Sequence, residues 1–162
     1  MPKLLRPDQV VGSIYEIDLT ALRERGIRGV IADLDNTLVP WNGSTVDERL
    51  QEWLFNLREQ GLELAIVSNN FPARVERVSS RLGVIAVARA VKPRRRAFLN
   101  LAGRLGLVPA EVCVIGDQLF MDILGGNRCG MHTVLVTPID KREFIGTKVM
   151  RLLERLMLRA MN

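Results

Sequence analysis

Five short apolar runs alternate with stretches of helical periodicity, and this alternation constrains the chain more than any other feature. The runs are "IRGVIAD" (27–33), "LELAIVS" (62–68), "VIAVARA" (84–90), "VCVIGD" (112–117) and "HTVLVT" (132–137). They are apolar on successive residues, as strands covered on both faces must be. Between the first two, residues 46–60 place Leu50, Trp53, Leu54 and Leu57 on one helical stripe that Gly61 ends. "PARVERVSSRLG" opens with Pro72 at a first-turn position and stops at Gly83. "PRRRAFLNLAGRLG" and "FMDILGGNRCG" complete the series. Strands and helices in strict alternation predict an α/β fold: a three-layer, Rossmann-like parallel sheet with helices on both faces. At 162 residues with no internal repeat or linker, one domain is expected, its core spanning about 27–137.

In such sheets functional groups gather beyond the carboxyl ends of the strands. Four of those ends carry polar signals here: Asp33 with Asp35, Ser68 with Asn69, Lys92, and Asp117 with Asp122. With Leu34 turned into the interior, Asp33 and Asp35 are expected to converge on one small volume. Their repulsion would be relieved by a hard divalent cation, Mg2+, with Asp117 and Asp122 adding oxygen ligands. An aspartate is also a credible nucleophile toward phosphorus, and a second can act as general acid and then base. Ser68, Asn69 and Lys92 offer hydroxyl, amide and ammonium groups to phosphoryl oxygens.

Composition sets the surroundings. The chain is 48% hydrophobic and 25% charged with a net charge of +5, so an anionic partner is favoured. Its two cysteines, Cys113 and Cys129, have neither zinc-ligand nor disulfide-framework spacing, which suits a reducing, cytoplasmic setting. No stretch of about 18 apolar residues occurs, so no transmembrane helix is expected.

The motifs "DLDNT", "VSNN", "KP" and "GDQLFMD", each following a strand, resemble motifs I to IV of the haloacid dehalogenase-like phosphohydrolases over about residues 27–137. The resemblance implies Mg2+-dependent phosphoryl transfer. Asp33 would be nucleophile and metal ligand, and Asp35 the general acid/base, binding metal through its main-chain carbonyl. Ser68 and Lys92 would bind phosphate. Asp117 would ligate the metal, and Asp122 would ligate or support it. Asp33 and Ser68 lie 35 positions apart, and Ser68 and Lys92 only 24, which leaves no room for a cap domain. "DLDNTLVPW" and "GDQLFMDILGGNRCG" are similar to the capless subclass IIIA, especially its YqeG-like group and the phosphatidylglycerophosphate phosphatases.

The remaining features divide between two readings. Arg94, Arg95 and Arg96 form either a solvated helix face or an attractor for an anionic surface. In 147–161, Val149, Leu152, Leu153, Leu156, Met157 and Ala160 oppose Lys148, Arg151, Arg155 and Arg159. Such an amphipathic helix either lies in an anionic membrane interface or covers the sheet or a second copy. Leu4, Leu5, Val10, Val11, Ile14 and Tyr15 carry a similar ambiguity. Gly125, Gly126 and Gly130 are read as turn and packing glycines, Cys113 as inert core, and His132 as having no catalytic role.

The expected function is therefore phosphomonoester hydrolysis through an aspartyl-phosphate, and the resemblance favours phosphatidylglycerophosphate as the substrate. That substrate would put a cytoplasmic enzyme peripherally on the inner membrane face. The alternatives are a phosphatase of soluble metabolites, nucleotides or nucleic-acid ends, and a non-enzymatic RNA- or ribosome-associated module.

Overall fold

The computed structural model describes residues 3–140 together with Leu152 and Leu156. The amphipathic segment 147–161 therefore lies outside the described residues, apart from those two leucines.

Among the described residues six parallel strands form one sheet in the order β1-β6-β5-β2-β3-β4. They are β1 (Gln9–Val11), β2 (Gly29–Asp33), β3 (Glu63–Val67), β4 (Ile85–Val87), β5 (Val112–Gly116) and β6 (His132–Val136). Five match the apolar runs. The third run is mostly loop, because only its first half pairs with β3, through Ala65–Ile85 to Val67–Val87. The additional strand, β1, pairs with β6 from Gln9–Val134 to Val11–Val136. Three residues long and half-exposed, β1 carries too little periodicity to stand out in the sequence.

Helices α1 (Leu19–Glu24), α2 (Glu48–Glu59) and α3 (Pro72–Leu82) pack on one face, and α4 (Arg95–Arg104) and α5 (Leu124–Cys129) on the other. β2 shows the reason for the unbroken apolar runs. Val30 and Ala32 join the first core with Leu54, Leu57 and Val78, while Ile31 joins the second with Phe98 and Leu101. Each strand thus needs apolar residues at odd and even positions alike. Local signals set the helix ends. Asp47 caps α2 by accepting from the Leu50 amide at 2.8 Å, and Pro72 opens α3. Gly83 closes α3 in the left-handed conformation at φ 64°.

The chain order places the site. From β2 the chain moves to β3 and β4 on one side, then returns to β5 and β6 on the other. β2 is therefore the switch strand, and the crevice at its carboxyl end lies between the ends of β3 and β5. Between β2 and β3 the chain builds only a turn and α2, so the expectation of a fold without a cap agrees with what this interval contains.

Candidate active site

At the end of β2 the chain must leave the sheet at once. Asn36 makes the turn with φ 64°, a left-handed conformation that asparagine tolerates better than most residues. Its amide donates to the Val39 carbonyl at 2.7 Å, and its side-chain oxygen accepts from the amides of Trp41 (3.3 Å) and Asp140 (3.0 Å). The asparagine in "DLDNT" is thus a structural brace that fixes where Asp33 and Asp35 stand.

Asp33, Asp117 and Asp122 come together. One carboxylate oxygen from each lies within 4.8 Å of the others, and all three residues are buried. Between two of them sits Lys92, its ammonium 2.5 Å from Asp33 Oδ1 and 2.6 Å from Asp122 Oδ1. Asp122 Oδ2 also accepts from the Gln118 amide at 3.1 Å, so this carboxylate is held by the site and does not merely charge a helix end. The Thr37 hydroxyl reaches Asp117 Oδ1 at 3.5 Å.

Burial raises the Asp33 carboxyl well above its ordinary value. Lys92 opposes that shift, while Asp122 and Asp117 add to it. Lys92 is itself raised: Asp122 and Asp33 outweigh the burial that would lower it, so it stays an ammonium ion. Three buried carboxylates facing one ammonium leave an excess of negative charge. An all-oxygen donor set with that excess fits a hard divalent cation, and Asp33, Asp117 and Asp122 are the residues that would hold Mg2+.

Asp35 departs from expectation. Its carboxylate does not join the Asp33 cluster, because two groups of the β3–α3 connection hold it elsewhere. Asn70 Nδ2 donates to Oδ2 at 3.0 Å, and the Arg74 guanidinium pairs with Oδ1. Arg74 also donates to the Gly43 carbonyl at 2.7 Å, tying α3 to the loop after β2. The two aspartates therefore do not share one small volume, and only the Asp35 main chain remains available for the metal role expected of it. Neither Arg74 nor Asn70 was singled out as a site residue. Arg74 is one of many arginines in the sequence, and only the packing of α3 beside β2 gives it a carboxylate.

Ser68 is buried at the end of β3, with its Oγ accepting from the Asn70 amide at 3.1 Å, which leaves the hydroxyl proton to donate. Asn69 is exposed, and its side-chain oxygen accepts from the Lys92 amide at 2.8 Å. This bond ties the β3 and β4 loops together and positions the lysine. Gly116 is a third residue that the sequence did not flag: a Cβ there would lie 2.2 Å from Asp122 Cγ. Only glycine lets Asp122 lie against β5.

The other predicted positions are structural. A Cβ on Gly125 would strike Phe98 at 2.4 Å, and one on Gly126 would strike Thr133 at 2.7 Å, so both permit α5 to pack closely. Cys113 is fully buried with its thiol pushed upward by desolvation. His132 does have a partner, Asp8, at 3.4 Å, far along the sheet from β2. A cleft of about 400 Å3 lined by Arg58, Gly61, Leu64, Val84 and Ile85 opens at the amino ends of β3 and β4, the edge opposite the carboxylates.

Comparison with known proteins identifies the family. The haloacid dehalogenase-like hydrolase model matches residues 41–130. The probable phosphatase YqeG of Bacillus subtilis is 40% identical over 162 residues, all of this chain and 94% of that protein. The phosphatidylglycerophosphate phosphatase 1 of Arabidopsis thaliana is 27% identical over 90% of this chain, which spans 45% of that longer protein. A crystal structure of a Listeria monocytogenes protein superposes with a TM-score of 0.57 at 19% identity, covering 74% of this chain and 86% of that one. The last match bears on the fold alone. With a family match over more than half its length and a phosphatase relative aligned from end to end, the chain belongs to the haloacid dehalogenase-like hydrolases and is a phosphatase.

Proposed function

We propose that this phosphatase is Mg2+-dependent and hydrolyses phosphomonoesters through an aspartyl-phosphate on Asp33. The observation that carries this reading is the buried set of Asp33, Asp117 and Asp122 with Lys92 bridging two of its members. A bound Mg2+ would neutralise the excess charge, keep Asp33 ionised and polarise a substrate phosphoryl oxygen.

The remaining chemistry belongs to the chain. An Asp33 carboxylate oxygen attacks phosphorus, and the bond to the alkoxide breaks with its electron pair leaving on oxygen. Asp35, oriented by Asn70 and Arg74, takes up a proton from solvent and passes it to the alkoxide. Asp35 then takes a proton from water as the water attacks the phosphoryl group, and the P–O bond to Asp33 breaks to regenerate the carboxylate. Lys92 and the Ser68 hydroxyl hold phosphoryl oxygens, where charge is spread in the transition state. Asn69 supports Lys92 through the Lys92 amide.

We further propose phosphatidylglycerophosphate as substrate. The Arabidopsis relative's name, the positive net charge and the lack of a cap in the β2–β3 interval support this choice. An uncapped site must take water exclusion from a large substrate or a surface. This reading puts the protein in the cytoplasm, at the inner membrane face. Among the described residues no helix is long and apolar enough to cross a membrane.

The test is phosphate release from phosphorylated lipids beside soluble phosphomonoesters, nucleotides and 5′-phosphorylated oligonucleotides, with Mg2+ and with chelator. Release confined to Mg2+ and fastest with phosphatidylglycerophosphate is the expected result. Faster turnover of soluble phosphates removes the lipid assignment, and release that persists in chelator removes the metal.

A further inference from the structure

The rim of the site beside Lys92 combines features that catalysis does not use. Phe71 and Val91 are large apolar residues at the carboxyl edge, 67% and 54% exposed. Residues 68–75 and 87–96 contain no Asp or Glu, while Arg89, Arg94, Arg95 and Arg96 are exposed. Arg89 ties the two segments together, and a turn carries the chain from Val91 to Arg94. The Arg89 amide donates to the Asn70 carbonyl at 3.0 Å, the Arg89 guanidinium lies 5.3 Å from the centre of the Phe71 ring, and the Arg94 amide donates to the Val91 carbonyl at 3.0 Å.

The backbone displays this rim at a cost. Arg89 and Val91 have φ of 47° and 54°, in the left-handed region. For a β-branched residue that is a rare and strained conformation. It holds Val91 out in solvent while its neighbour Lys92 is buried between carboxylates. Burying Lys92 uses this turn, but it requires neither a valine at its exposed position nor an exposed phenylalanine at 71 beside an arginine. A bilayer interface takes apolar tips into the acyl boundary and arginines against anionic head groups.

We infer that Phe71 and Val91, with Arg89 beside Phe71 and Arg94, Arg95 and Arg96 exposed just beyond Val91, form a docking rim that seats the open site on an anionic phospholipid bilayer. Charge complementarity selects the bilayer over a neutral apolar partner, and the exposed aliphatic Val91 beside Phe71 selects it over a nucleic acid, whose bases stack on aromatic rings but offer a valine tip nothing to enter. The inference rests on the lipid reading proposed above and gives it a surface. A substrate phosphate in a head group would then reach Lys92 without leaving the membrane.

The experiment sediments the full chain with phosphatidylcholine vesicles, with and without phosphatidylglycerol. Binding is expected only with the anionic lipid. Each of Arg94→Gln, Arg95→Gln and Arg96→Gln should weaken it about fivefold, as about 1 kcal/mol per surface arginine implies. Phe71→Ser combined with Val91→Asn, which suits a left-handed backbone, should weaken it at least about tenfold. All these variants should hydrolyse a soluble aryl phosphate as the parent does. Vesicle binding that is unchanged in both variant sets overturns the rim. So does a loss of soluble activity in these variants, or an RNA homopolymer that binds as tightly and is insensitive to the Phe71 and Val91 changes. Binding and substrate choice remain separable. Vesicle binding without hydrolysis of phosphatidylglycerophosphate sinks the substrate and keeps the rim, whereas hydrolysis in detergent micelles without vesicle binding does the reverse.

Discussion

Asp33 and Asp35 stand two residues apart yet occupy opposite electrostatic worlds. Asp33 is buried with Asp117, Asp122 and Lys92, in surroundings that raise its carboxyl and leave negative charge in excess. Asp35 has a side chain 17% exposed, held between Asn70 and Arg74 with its charge matched by a guanidinium. The first environment stores a demand for a cation. The second orients a carboxylate near solvent, where it can exchange protons with a leaving group and with water. Placing both groups in the first environment would have left them competing for one cation.

The largest expected effect breaks the buried half. Asp33→Asn should lower turnover on the order of 10⁴-fold or more, as removal of a nucleophile does. It should also make the metal-free protein more stable at neutral pH. A carboxyl raised in the folded state contributes stability that is full below its unfolded pKa and is lost as pH rises through the folded value, and the amide removes that loss. Phosphate release and thermal melts in chelator check the two halves. A melt lowered by Asp33→Asn would mean that Lys92 outweighs burial.

Next is the lysine. Lys92→Ala should cost about 3–5 kcal/mol of stability, because two buried carboxylates lose their counter-ion. Denaturant titration measures this, and saturating Mg2+ should restore part of it by binding the folded state alone. No restoration by Mg2+ would separate the acidic cluster from the metal.

Arg74→Met sharpens the comparison from the other side. It frees Asp35 and leaves every proposed phosphate and metal ligand in place, so kcat should fall about tenfold to a hundredfold with KM little changed. Partial rescue by Arg74→Lys would show that the charge matters, and a rise in KM would show that Arg74 meets the substrate instead.

The smallest effect lies at a distance. Burial lowers the His132 pKa below 6.5, with Asp8 opposing and Arg25 adding to the shift. Its contribution to stability is complete above about pH 6.5 and is lost as pH falls through the lower folded value. Melts of His132→Asn should therefore show a shallower decline on acidification, with activity at neutral pH unchanged.

Much of this was written along the chain. Apolar residues at consecutive positions report strands buried on both faces, so β2, β3, β5 and β6 stood out, and chain alternation then made the sheet parallel. β1 and the end of β4 did not, since short edge segments lack that double burial. The carboxylates were legible because catalytic spacing after a strand is local. Which group each would pair with was not.

The sequence by itself determined which groups would reach the carboxyl edge of the sheet, since strand ends and turn residues are local properties of a chain. Only the tertiary structure decided their pairing: Lys92 between Asp33 and Asp122, Arg74 on Asp35, and Gly116 making way for Asp122. Those contacts join residues tens of positions apart, or depend on a Cβ that is absent. Distances of a few ångströms between separate elements follow from how helices and strands pack, which no local pattern encodes.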